Sequence, residues 1–223
     1  MFPIVFYSKK GRKTNATVSE YVKTEIKETS FRPIYYFTKN MIFQGKSWKA
    51  LYLCLFWTEN PGYNICCYNV GYHEADVERV IILIDENNKS HWVYFGAHSN
   101  IEGVWKKWTD CEKDDHGRLK VYISPQSQGM YPEKKLYWRI FGFTNEMCNC
   151  CNEEWIPEEN DFCNVDDQSW VTSHPNLGKN NEIGNPKNVE DPRNSSLTSF
   201  QRFFLPLPCI MKKLNKEHQV MIL

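Results

Sequence analysis

The chain has no surplus of charge: across 223 residues, 27 Lys and Arg stand against 27 Asp and Glu. A protein that holds nucleic acid by neutralising phosphates carries a basic excess, and that argument is missing here. No apolar run reaches the roughly 18 residues a membrane-spanning helix needs, so no transmembrane segment is expected. Met1–Ser8 is apolar but short and its basic residues come after it, the reverse of a secretory leader, so none is read. The cysteines number nine, and an odd count without a leader argues against a secreted disulfide scaffold. Reduced thiols in a cytoplasmic compartment are the expectation; the abundance of Asn and Lys suits an AT-rich genome, and a viral chain would sit in host cytoplasm or virion. No internal repeat, second domain or nucleophile–base signature is visible, so no catalytic residue is assigned.

Aromatic residues are plentiful, at 15% of the chain, which favours pleated faces on which large flat side chains pack. Short apolar or alternating runs recur at Ile34–Thr38, Ala50–Trp57, Val77–Ile84, His91–His98 and Leu119–Ser124. Turn-rich segments separate them, among them Asn60-Pro61-Gly62, Asp85–Asn88 and Asp114–Gly117. This pattern predicts an all-β fold, a single antiparallel β-sandwich over residues 17–171. Val77–Ile84 is apolar on both faces and belongs in the middle of a sheet. Residues 1–16 read as a flexible arm. Thr17–Thr29 reads as a short N-terminal helix, opened by Thr17-x-x-Glu20. Residues 172–196, rich in Asn, Pro and charge, read as a long irregular loop. The C-terminal segment 197–223, with Phe200, Phe203 and Phe204, is expected to pack back on the sandwich.

The informative segment is Gly71-Tyr72-His73-Glu74-Ala75-Asp76-Val77-Glu78, immediately before the apolar strand. On a strand Asp76 and Glu78 share a side, because side-chain direction repeats every two residues. His73 is out of phase and joins them only if residues 73–75 turn or bulge. Two carboxylates and an imidazole converging in this way suit a divalent cation. Oxygen-rich ligation favours Mg, Ca or Mn, and a larger imidazole share moves the preference toward Zn.

Four segments follow one another in a familiar order: Leu51–Asn60, the Gly71–Glu78 octapeptide, Phe95-Gly96-Ala97-His98-Ser99 and Val121–Pro132, with Gly142–Cys148 after them. Together, over about residues 45–155, they resemble the vacuolar protein sorting-associated protein 62 family, itself distantly related to the necrosis- and ethylene-inducing peptide-like cytolysins. The resemblance implies a cation cavity built from His73, Asp76, Glu78 and His98, with Glu59 as an upstream acid. The chain departs from the family pattern at three positions: Val77 replaces an aromatic residue, Ala75 a glycine, and Gln128 a histidine. An amide is a poor cation ligand and no general base, which weakens any reading that needs that imidazole.

The resulting expectation is a binding module whose cation shapes a pocket for a glycan, a polar lipid headgroup or a protein partner. A metal-dependent hydrolase with Glu74 or Glu78 as base is the alternative, and a structural or virion-associated protein with a degenerate site is the second. Cys148, Cys150, Cys151, Cys163 and His174 offer one half of a zinc motif without the second closely spaced pair. Trp105 and Trp108 read as packing residues, and the sequons at Asn15 and Asn194 carry little without a leader.

Overall fold

The computed structural model describes residues 4–8, 33–60, 62–65, 68–70, 73–97, 103–138, 145–167, 176–177 and 183–184, with backbone alone at 58–59, 64–65, 68–70, 73–75, 176–177 and 183–184. The strands are β1 (Ile4–Ser8), β2 (Ile34–Phe43), β3 (Lys46–Asn60), β4 (Tyr63–Ile65), β5 (Tyr68–Val70), β6 (His73–Ile84), β7 (Ser90–Phe95) and β8 (Val104–Lys107). They continue with β9 (Leu119–Ile123), β10 (Met130–Tyr131), β11 (Leu136–Tyr137), β12 (Glu146–Met147), β13 (Glu153–Trp155), β14 (Phe162–Asn164), β15 (Asn176–Leu177) and β16 (Ile183–Gly184).

Two main sheets face each other. One is six-stranded in the order β14-β2-β3-β6-β7-β8, the other four-stranded in the order β10-β9-β1-β13. The core between them joins Leu51, Leu53, Leu55, Trp57, Val80, Ile82, Val93 and Phe95 of the first sheet to Ile4, Phe6, Leu119, Val121, Ile123 and Met130 of the second. Each large side chain so buried contributes about 1.5–3 kcal/mol. The other face of the six-stranded sheet is also buried, through Tyr52, Phe56, Ile81, Leu83 and Tyr94. This is why Val77–Ile84 carries apolar residues at successive positions: β6 is central and covered on both sides.

The all-β expectation holds, with two corrections. The sheets are not purely antiparallel, since β1 runs parallel to β9 and β14 parallel to β2. Residues 1–16 are not an arm throughout. Ile4–Ser8 is a strand between β9 and β13, with Ile4, Val5 and Phe6 buried. Its partner Leu119 is so distant in sequence that no local hairpin pattern announces the pairing. The expected helix over Thr17–Thr29 and the segment 197–223 lie outside the described residues. Within 172–196, Asn176–Leu177 and Ile183–Gly184 pair as an antiparallel ribbon. Trp105 stacks on Phe43 at 4.3 Å and packs on the outer cluster, while Trp108 packs against the inter-sheet core.

Turn carboxylates tie the loops at this sandwich's rim. Asp85 Oδ1 accepts the N–H groups of Asn87 and Lys89 at 2.9 and 2.8 Å, and Oδ2 lies 2.8 Å from His91 Nε2. The Lys89 N–H and then His91 hold the Asp85 carboxyl below its usual range. Lys135 and Lys106 do the same for Glu133, Lys106 reaching it from β8 at 2.9 Å. At Asp114 burial opposes the shift, but the Arg118 backbone and guanidinium outweigh it and the carboxyl is again lowered. Folded pKa values below the unfolded ones give stability that is present above the unfolded carboxylate range and lost as pH falls through the folded values. The urea midpoint is therefore expected to hold steady down to about pH 4.5 and drop steeply toward about pH 2. Asp85→Asn is expected to flatten part of that slope. An unchanged slope would remove Asp85 from the account.

Candidate functional site

The site forms where β7 ends before β6 does. β6 pairs with β7 from Val80 to Ile84, so residues 76–79 run on past Phe95. Here Asp76, Val77, Glu78, Arg79, Tyr94, Gly96 and Ala97 line a small open cleft of about 90 Å³. Asp76 and Glu78 continue the inner face that Val80 and Ile82 give to the core, and both are buried, at 9% and 7% exposure. Two residues apart on a strand, their α-carbons are about 6.6 Å apart, a span their side chains can close onto one ion.

Asn60 fastens this wall. Its Nδ2 donates to Asp76 Oδ2 at 2.9 Å and to the Ser127 carbonyl at 3.0 Å, and its Oδ1 accepts the Gly62 N–H at 3.0 Å. Ser127 belongs to the β9–β10 loop of the opposing sheet, so one buried carboxamide bridges the two layers and orients Asp76. A second tie lies close by, where the Met130 N–H donates to the Gly96 carbonyl at 2.7 Å.

The β9–β10 loop is itself buried at Ser124, Ser127 and Gln128. Gln128 adopts a φ of 63°, and its N–H donates to the Ser124 carbonyl at 3.1 Å. Ser124 Oγ and the Tyr63 hydroxyl both donate to the fully buried carboxylate of Glu146. Tyr94 borders the cleft from β7, with its ring packed in the cluster on the outer face of the sheet. Its hydroxyl is buried with no hydrogen-bond partner among the described residues. Burial raises its pKa, with the Arg79 guanidinium opposing and the Glu78 carboxylate reinforcing the shift.

The five nominated ligands fare unequally. Asp76 and Glu78 stand together on the cleft wall. Glu59 pairs in register with Glu74, and His73 with Asn60, while the side chains of Glu59 and His73 and the whole of His98 lie outside the described residues. The register from Trp57↔Asp76 to Asn60↔His73 runs without a shift, so no bulge brings position 73 into step with 76 and 78. Glu74 is the position in step with them. Among the described residues no three His, Cys, Asp or Glu side chains gather as a metal site. Sequence reasoning missed Asn60, which it took as turn punctuation, and the Tyr63–Ser124–Glu146 network. The one available signal for Asn60 was its place at the end of an aromatic strand opposite the His73 segment.

No protein-family model and no curated protein matches this chain, so the resemblance to the vacuolar protein sorting-associated protein 62 family has no such match behind it. Among solved structures it is similar to "Toxin fold for microbial attack and plant defense", at 13% identity and TM-score 0.40, over 59% of this chain and 64% of that one. It is similar to "NLPPya in complex with glucosamine" at 15% identity and TM-score 0.39, again over 59% of this chain and 64% of that one. It is also similar to "NLPPya in complex with mannosamine" at 12% identity and TM-score 0.42, over 92% and 85%. The first two likenesses span less than two thirds of those chains, and at such scores none of the three carries a functional argument.

Proposed function

We propose that the protein is a binding module in which a divalent cation held by Asp76 and Glu78 shapes the end of the sandwich into a glycan pocket. The observation that supports this reading is the pairing of two buried carboxylates on one cleft wall, one of them oriented by Asn60. Two carboxylates on one wall suit a hard cation, which keeps open coordination positions for a further ligand. An all-oxygen wall favours Mg, Ca or Mn over Zn. His73, His98 and Glu59 are the further candidate ligands, and Glu74 joins them on register. Neighbouring hydroxyls of a sugar complete such a cation's shell.

Titration calorimetry with Mg, Ca, Mn and Zn, each on wild type, Asp76→Asn and Glu78→Gln, tests the reading. At least one hard cation is expected to bind wild type, and each variant to bind it roughly tenfold or more weakly. Monosaccharide binding, measured next, is expected to disappear in chelator. If no ion binds, or the variants bind it as wild type does, the cation role is wrong.

A further inference from the structure

A separate buried cluster gathers Cys148 and Cys151 with Ala97, Tyr122 and Tyr131. Cys148–Cys150 is a single 3-10 turn, closed by the Cys151 N–H donating to the Cys148 carbonyl at 3.1 Å. Such a turn takes three residues and rises about 2.0 Å per residue, so positions three apart are eclipsed with α-carbons about 6 Å apart. That lies inside the window of roughly 4.4–6.8 Å that a disulfide requires. Cys148 and Cys151 share one buried cluster, and Cys151 Sγ–H donates to the Ile123 carbonyl at 3.0 Å.

Access is uneven. Cys148 and Cys151 are fully buried. Burial, then the neighbouring Cys151, pushes the Cys148 thiol up, so its thiolate is a poor first nucleophile toward a reagent in solution. Cys150 is partly exposed, with its Sγ 3.0 Å from the Met147 carbonyl. It sits between the buried pair in sequence and is the more accessible of the three.

We propose that Cys148 and Cys151 are a disulfide-forming pair, oxidised by low-molecular-weight disulfides that enter at Cys150. The Cys150 thiolate attacks the external disulfide R–S–S–R, forming Cys150–S–S–R and releasing one thiolate. Cys148 attacks the Cys150 sulfur and expels the second thiolate. Cys151 then attacks the Cys148 sulfur, and Cys150 returns to a thiol. In sum, the S–H bonds of Cys148 and Cys151 give way to one S–S bond, and two electrons and two protons leave with the reagent as two small thiols. The proposal is independent of the cation and glycan reading, since no step involves the cleft.

The test uses native protein, first reduced, then incubated in a series of oxidised and reduced glutathione, quenched in acid, alkylated and digested with trypsin. The peptide Ile140–Lys179 holds Cys148, Cys150, Cys151 and Cys163. Under oxidising mixtures it is expected to lose the alkyl groups on Cys148 and Cys151 and keep those on Cys150 and Cys163. The same incubation in urea is expected to give a scrambled mixture. Cys150→Ser is expected to reach the same end product roughly tenfold more slowly. The pairing is overturned if the native protein keeps all its alkyl groups, if the bond involves Cys150 or Cys163, or if native and denatured products agree. An unchanged rate in Cys150→Ser overturns the entry route.

Discussion

Gly103→Ala is expected to destabilise the fold by about 3 kcal/mol, at the upper end of what overpacking costs. A Cβ at that position would lie 1.9 Å from the Tyr94 hydroxyl, 2.1 Å from Cζ and 2.3 Å from Cε2. Moving the hydroxyl tip is therefore not enough; the whole ring must leave. It has little room to do so. Tyr94 is 1% exposed, its ring centroid is 5.2 Å from that of Trp105, and Trp105 is in turn stacked on Phe43. Tyr94 and Trp105 are also register partners in β7 and β8, so displacing the ring strains the pairing of these strands. Urea denaturation followed by tryptophan fluorescence measures the loss. Tyr94→Leu in the same chain is expected to recover part of it, which appears as a coupling energy in the double-mutant cycle. A Gly103→Ala variant within about 0.5 kcal/mol of wild type would show that β8 reaches its register by another route.

The parts of this fold that the sequence made legible are those with strong short-range patterning. Val77–Ile84 is apolar at successive positions, and only a strand covered on both faces tolerates that pattern, so its central place followed directly. β2 was legible only to Thr38. It runs on to Phe43 because Met41 and Phe43 are buried while Ile42 between them is 63% exposed, and an exposed isoleucine hides the alternation. The turn after it uses Gln44 and Gly45, both at positive φ, and a glutamine there is not the asparagine or aspartate that normally advertises a hairpin. β1 escaped for a different reason. Its five residues carry a clear apolar signal, but a basic cluster follows them and their parallel partner is β9. Nothing local distinguishes such a strand from an apolar tail.

The candidate site divides in the same way. The two-residue period put Asp76 and Glu78 on one side, and the cleft contains both. Periodicity says nothing about which loop of the opposing sheet closes over them, so the link from Asn60 to Ser127 had no counterpart in the sequence. Glu59 is the upstream acid that the family resemblance implies; among the described residues the neighbouring amide of Asn60 contacts Asp76. A neutral amide beside a carboxylate orients it without adding to the local negative charge, the usual task of a residue one step back from an ion.

Asn60→Ala therefore has consequences at both levels, and they separate in experiment. The substitution deletes three hydrogen bonds in buried surroundings: two donated, to Asp76 and to the Ser127 carbonyl, and one accepted from the Gly62 N–H. Removing one partner from a buried polar contact costs about 1–3 kcal/mol, and these share one side chain, so a loss of about 3 kcal/mol in unfolding free energy is expected rather than the full sum. Asn60→Asp is expected to be as damaging for another reason: it sets a second carboxylate against Asp76 Oδ2 where a donor stood. On the proposed reading, a cation at about 100 times its dissociation constant stabilises wild type by about 2.7 kcal/mol. Asn60→Ala retains Asp76 and Glu78, but the orientation of Asp76 is lost, and affinity for the cation is expected to fall by about 10–100-fold. Melting curves with and without the cation distinguish the two effects. A variant that melts early in both conditions and gains less from the ion than wild type supports both roles. One that melts early yet gains the full increment confines Asn60 to joining the sheets and shows that Asp76 finds its position unaided.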